Sequence, residues 1–226
     1  MVKSITRYWV VLLFVFLFGA WFCRGMELAW WQASAASASV AAQSGATGAP
    51  PLVQPPADAP TCRTTEPAVD SPYLSVAQAD AVQAGINPLV FTWQIWFEST
   101  YNPNALSAVG AEGIAQFMPD TAQGYGIDPW NPTQALDAAA KDDAGHLAQF
   151  AFQAQQLAAH YGGHEARYQY GLALSAYNAG PGATQSAWNR AYAAGTAWPA
   201  SGPWAWLALL GGETQRYVPK ILGCSL

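Results

Sequence analysis

The stretch Asn87–Pro119 reads NPLVFTWQIWFES and then TYNPNALSAVGAEGIAQFMP. Asn87 is a good helix N-cap and Pro88 suits the first helical turn, so a helix is predicted from there to about Ser99. Its β-branched and aromatic residues would also suit a strand; the cap and the length favour the helix. One carboxylate, Glu98, ends an apolar run that includes Phe91, Trp93, Ile95, Trp96 and Phe97. Such a carboxyl is expected to be partly desolvated, which disfavours its charged form and raises its pKa. A raised pKa suits a general acid at neutral pH. A Glu that merely meets water at a helix end is the alternative, and position alone does not choose between them. Beyond Ser99, Tyr101 to Gly113 reads as a loop, and Pro119 opens a short helix through about Tyr125.

Outward from this segment the patterns are helical. Leu74 to Gly85 is a short helix candidate. Asn131-Pro132 repeats the start signal, and Leu136, Ala140, Leu147, Phe150, Ala154, Leu157 and Tyr161 recur at helical spacing up to Gly162-Gly163. That long helix is expected to be scaffold, with Asp142-Asp143 on a solvated face. Further helices are predicted over about Ala166–Ala179, Thr184–Ala194 and Glu213–Leu222. No internal repeat and no convincing strand pair is visible, so the fold class is all-α.

The chain has 226 residues, 52% apolar and only 10% charged, with a formal net charge of −5. From Asp70 onward there are five Lys/Arg against eleven Asp/Glu, a net of −6. A nucleic-acid binder needs a basic stripe, and none is present. The acidic balance also means that an anionic polymer would have to be held by a groove rather than by bulk attraction. The histidines, His146, His160 and His164, and the cysteines, Cys23, Cys62 and Cys224, lack metal-site spacing. Surface positions are the default for the histidines.

Met1 to Arg7 carries Lys3 and Arg7 and no acid, and Tyr8 to Phe22 is continuously apolar. A basic flank before an apolar run is the pattern of an export signal, or of a membrane anchor if it stays uncleaved. Residues 33–70 are rich in Ala, Ser, Gly and Pro and read as a linker. The expected organisation is therefore a signal peptide or anchor over 1–32, a linker over 33–70 and a catalytic domain over 71–226. The domain is expected on the periplasmic or cell-wall side of a membrane. Cys62 and Cys224 bracket that domain, and an oxidising compartment would allow them to pair. Two unpaired thiols, or pairing with Cys23, are the alternatives.

Several short motifs follow Glu98-Ser99 in order: Tyr101-Asn102-Pro103, Gly113-Ile114-Ala115-Gln116-Phe117-Met118-Pro119, Ala176-Tyr177-Asn178-Ala179-Gly180 and Glu213-Thr214-Gln215-Arg216-Tyr217-Val218. Over about Ser71 to Leu222 the chain thereby resembles the lytic transglycosylases of the SLT type, glycoside hydrolase family 23, related to goose-type lysozyme. The resemblance implies a lysozyme-like all-α fold and cleavage of the β-1,4 bond between N-acetylmuramic acid and N-acetylglucosamine in peptidoglycan. It implies no cofactor and no metal. Glu98 would act first as acid and then as base, while the sugar's N-acetyl group assists and its 6-hydroxyl attacks C1, leaving a 1,6-anhydro end.

The resemblance also proposes substrate-binding residues. Ser99 would hydrogen-bond the N-acetyl group; its alternative is a helix-end Ser facing water. Gln116 would line the groove, with Met118 as wall. Tyr177 and Asn178 would reach into the groove from a helix end, where a plain C-cap is the alternative. Tyr217 would hydrogen-bond near the acid. A second carboxylate, which most glycosidases use, is not obvious. Glu112 in the loop and Glu213 at the last helix start are the candidates, although Glu213 equally suits a helix dipole. Among the many aromatics, Trp198, Trp204 and Trp206 are the expected exceptions to core filling, as stacking faces for sugars. Two other readings stay open: a goose-type lysozyme-like hydrolase, and a non-catalytic wall-binding component of a secretion, conjugation or phage apparatus.

Overall fold

The structure is a computed structural model that describes residues 60–192 and 198–226. The expected signal or anchor over 1–32 and the linker up to residue 59 lie outside the described residues. Seven α-helices and a short 3-10 turn make up the described part. They are α1 (Tyr73–Ala84), α2 (Pro88–Ser99), α3 (Pro119–Tyr125), α4 (Pro132–Tyr161), α5 (Glu165–Ala179), α6 (Pro181–Ala191), the turn Leu207–Leu209, and α7 (Gly212–Leu222). The fold is all-α, as the patterns predicted. Among the described residues β-pairing is limited to isolated bridges, Leu106 with Glu112 and Glu112 with Phe117.

Local chemistry sets the helix starts. The Asn87 side chain accepts from the Val90 N–H at 3.1 Å, and Asn131 accepts from the Gln134 N–H at 3.3 Å. Each Asn thus satisfies an N–H that has no intrahelical partner. Helix α6 begins at Pro181, earlier than the predicted Thr184. Proline at the first helical position costs no hydrogen bond, so Gly180-Pro181 starts a helix as well as ending one.

Two hydrophobic clusters form the interior. One gathers Phe150, Leu157, Leu172, Trp206, Val218 and Leu222. The other gathers Phe91, Ile95, Ile114, Phe117 and Leu136. Helix α2 gives Val90 to the first and Phe91 and Ile95 to the second. A helix buried on two sides needs apolar residues nearly all round, which is why its sequence also suits a strand. Helix α4, 30 residues long, spans both clusters, and α5 packs against α4, α6 and α7.

Residues 61–70 fall in the stretch whose composition reads as a linker, yet from Thr61 on they lie against the domain. Thr61 Oγ1 and the Cys62 N–H both donate to Leu222 O, at 2.7 and 2.8 Å. Arg63 donates to the carbonyls of Lys220 and Ile221, and its guanidinium stacks 3.5 Å over the Trp93 ring. Trp93 Nε1–H in turn donates to Thr65 O at 2.8 Å. Cys62 and Cys224 are disulfide-bonded, with Cα atoms 5.3 Å apart. The strap therefore braces the two helices, α2 and α7, that carry Glu98 and Tyr217.

Three expectations are corrected. Asp143 is not on a solvated face: it is 4% exposed, because it sits where α4 meets α2. His146 is buried rather than on the surface, packed one turn beyond Asp142. The three tryptophans are not free sugar platforms. Trp206 is core, the Trp204 ring fills the space that a Cβ on Gly171 would need, and Trp198 stacks on His160 with ring centroids 4.5 Å apart.

Candidate active site

Glu98 occupies the last turn of α2, and the chain reverses sharply after it. Thr100 and Tyr101 both adopt left-handed backbone, with φ of 54° and 62°. Such φ values are uncommon outside glycine. Here they are held by the Thr100 N–H donating to Trp96 O at 2.8 Å and by the buried Tyr101 hydroxyl donating to Thr92 O at 3.1 Å. Tyr101 thereby folds back under α2 and sends the following loop across the helix end.

That loop, residues 102–118, is tightly tied. The Glu112 N–H donates to Phe117 O at 2.9 Å, and the Phe117 N–H returns to Glu112 O at 3.1 Å. Gly113 has φ of 74°, and a Cβ there would lie 1.8 Å from Pro129 O. Only glycine fits that approach.

Three of the predicted substrate-binding side chains hold this loop. Ser99 Oγ donates to Ile114 O at 2.7 Å, and the Tyr177 hydroxyl donates to Ala115 O at 2.7 Å. Gln116 Nε2 donates to Gly113 O at 2.8 Å and to Ala105 O at 3.2 Å. Ser99 therefore does not simply face water at a helix end. Met118, at the end of the loop, is 44% exposed. Asn178 is not a plain cap: its Oδ1 accepts from Thr214 Oγ1 at 2.6 Å, joining the end of α5 to α7.

Tyr217, on α7, is buried and donates its hydroxyl to Glu98 Oε1. Glu98 itself is half-buried: part of the residue is open, while its carboxyl is closely surrounded by protein. The Glu98 pKa is raised to about 7: burial is the largest cause, the Tyr217 hydrogen bond works against it, and the negative charge of Glu213 adds to it. A carboxyl in that range can give up a proton and take one back at neutral pH. Tyr217 is itself pushed well above its ordinary value by burial and by Glu98, so it stays a donor.

Sequence reasoning missed two members of this neighbourhood. Gln94, fully buried one helical turn before Glu98, donates from Nε2 to Asp143 Oδ1 at 3.2 Å. Two acidic neighbours in a long helix resemble a surface pair; the buried polar Gln94, on the same face of α2 as Glu98, was the available sign that something polar waits opposite. Thr214, the partner of Asn178, carried no signal apart from its place in the motif. Glu112, the other candidate carboxylate, stands in the backbone bridge to Phe117. Among the described residues no group of three or more His, Cys, Asp or Glu could hold a metal ion.

The all-α domain thus holds a desolvated carboxyl at a helix end, bonded by Tyr217 and followed by a tied loop. The family model of the transglycosylase SLT domain matches residues 75–198, more than half of the chain. The chain belongs to that family, and its fold is the family's all-α, lysozyme-like one. A solved structure of an inactive mutant of the lytic transglycosylase Slt from Pseudomonas aeruginosa is similar at 20% identity and a TM-score of 0.48. That match covers 66% of this chain and 22% of the Pseudomonas chain, so this chain spans about a fifth of it.

Proposed function

We propose that this protein is a peptidoglycan lytic transglycosylase in which Glu98 is the acid and the base. The observation that carries the reading is the Glu98 carboxyl itself, with a pKa raised to about 7 by burial and Tyr217 donating to one oxygen. In the first step Glu98 protonates the oxygen between N-acetylmuramic acid and N-acetylglucosamine, and the C1–O bond breaks. The carbonyl oxygen of the muramic N-acetyl group bonds to C1 as the leaving sugar departs. In the second step the Glu98 carboxylate takes the proton of the 6-hydroxyl, O6 bonds to C1, and the N-acetyl oxygen is released. Glu98 ends protonated, and no water is consumed.

The loop supports this chemistry by rigidity. Ser99, Gln116 and Tyr177 fix the carbonyls of residues 113–115, and a near-attack geometry needs walls that do not move. Asn178 and Met118 then face the sugar as binding groups. Export to the cell-wall side, by a cleaved or retained N-terminal segment, belongs to the same proposal and rests on the Met1–Phe22 pattern.

One observation favours a second reading. The Glu213 charge acts on Glu98, so a water activated by Glu213 would make the enzyme a lysozyme-like hydrolase. Turbidity clearing of purified cell walls by wild-type and Glu98→Gln protein tests the proposal's first part. Wild type should clear and the folded variant should not; clearing by neither would leave a wall-binding role.

A further inference from the structure

Asp143 is a buried carboxyl that the reaction above does not use. It lies on α4 and meets Gln94 on α2. Both residues are buried, at 4% and 0% exposure. Gln94 Nε2 donates to Asp143 Oδ1, while Gln94 Oε1 is buried with no partner. An ionised carboxylate accepts hydrogen bonds only and cannot satisfy that oxygen. A protonated carboxyl can, by donating from its second oxygen. The two side chains then form a closed pair with one hydrogen bond in each direction.

The surroundings agree with a neutral Asp143. The charged and titratable groups around it are Asp142 and His146 on its own helix, Glu98 on α2, Tyr125 on α3, Tyr170 and Tyr177 on α5, and Tyr217 on α7. His146 pairs with Asp142 at 3.6 Å, and burial lowers its pKa, which favours its neutral form. Lys141 pairs with Asp137. Neither of these basic side chains pairs with Asp143. Burial and the neighbouring acids push its pKa well above the ordinary carboxyl value.

We propose that Asp143 is a positioning residue that donates its proton to Gln94 Oε1, closing an acid–amide pair that anchors α2 one turn before Glu98 and so positions the Glu98 carboxyl. The pair also withholds a second negative charge from the site. An ionised Asp143 would raise the Glu98 pKa further and make it a poorer proton donor to the glycosidic oxygen. This role rests on the reading of Glu98 as the acid; the pair itself does not.

Infrared difference spectra separate the two. Glu98→Gln protein at pH 7 should show a protonated-carboxyl C=O band that is absent from the Glu98→Gln/Asp143→Asn protein. The band's absence from both overturns the proposal, whatever Glu98 does. In the Glu98 wild-type background, Asp143→Asn can rebuild the pair as two amides and should clear cell walls with an unshifted pH profile. Asp143→Leu strands Gln94 and should lower kcat about tenfold with KM little changed. A folded Asp143→Asn protein reduced a hundredfold or more would mean that an ionised Asp143 takes part in the chemistry, and would overturn the proposal. Full activity in Asp143→Leu would overturn it too. If Glu98→Gln still cleaves, the proposed function fails while the spectra still decide the pair.

Discussion

The hydroxyl of Tyr217 donates to Glu98 Oε1 across 119 residues of sequence, tying α7 to the end of α2. It orients the carboxyl, and in the proposed reaction it stabilises the carboxylate that acts as base. Tyr217→Phe removes both effects. Hydrogen bonds to charged groups are worth about 1.5–3 kcal/mol, so a fall in kcat of roughly ten- to a hundredfold is expected. The Glu98 pKa should also rise, moving the alkaline limb of the pH–rate profile upward. A profile that keeps its position would mean that Tyr217 acts on substrate instead.

The pKa of Glu98 predicts a pH dependence of stability as well as of rate. The folded pKa of about 7 exceeds the ordinary value of 4.5, so folding takes up a proton between those pH values. The unfolded chain binds fewer protons there, and stability falls as pH rises from about 4.5 through 7. Glu98→Gln removes this loss. At pH 8 it should be more stable than wild type by about 1–3 kcal/mol, since each tenfold change in proton affinity is ~1.4 kcal/mol. Denaturant titrations at pH 4 and pH 8 measure it; the two proteins should converge at the lower pH.

Gly113→Ala should damage the loop. The added methyl meets Pro129 O at 1.8 Å, and φ of 74° is strained for alanine. Several kcal/mol of destabilisation is expected, above the ~1 kcal/mol typical of a point mutation. Thermal unfolding would show it, and a Tm within a degree of wild type would contradict the packing described.

The disulfide joins residues 162 apart. A bridge closing so long a loop is worth about 4–5 kcal/mol in the chain-entropy model. Cys62→Ser should lose stability of that order. The strap's hydrogen bonds to Lys220, Ile221 and Leu222 should then loosen, raising backbone exchange at Cys62 and Arg63. Unchanged stability would mean that the noncovalent contacts alone hold the strap.

Much of the fold was legible because its signals are local. Asn87-Pro88 and Asn131-Pro132 announced two helix starts, and the glycines after α4 and α5 announced their ends. The site was legible in part. Glu98 stood out by its apolar run, and the motif order pointed to Tyr217. What the sequence could not convey was mutual orientation. Ser99, Gln116 and Tyr177 look like free polar groups in sequence, but long-range packing turns them onto loop carbonyls. Asp143 looks solvated beside Asp142, and only tertiary packing, with Gln94 of α2 bonded to it, buries it. The Trp-rich segment looks irregular and therefore open, but Gly171 leaves a slot that Trp204 fills.

In the proposed reaction one carboxyl serves both steps and the sugar's own hydroxyl, not water, is the acceptor. Mass spectrometry of muropeptides released from purified cell walls tests it most directly. The expected products end in 1,6-anhydro-muramic acid, lighter by one water than the hydrolysed form, and none form with the Glu98→Gln protein. Hydrolysed, reducing ends as the main product would contradict it and would point to water activated by Glu213.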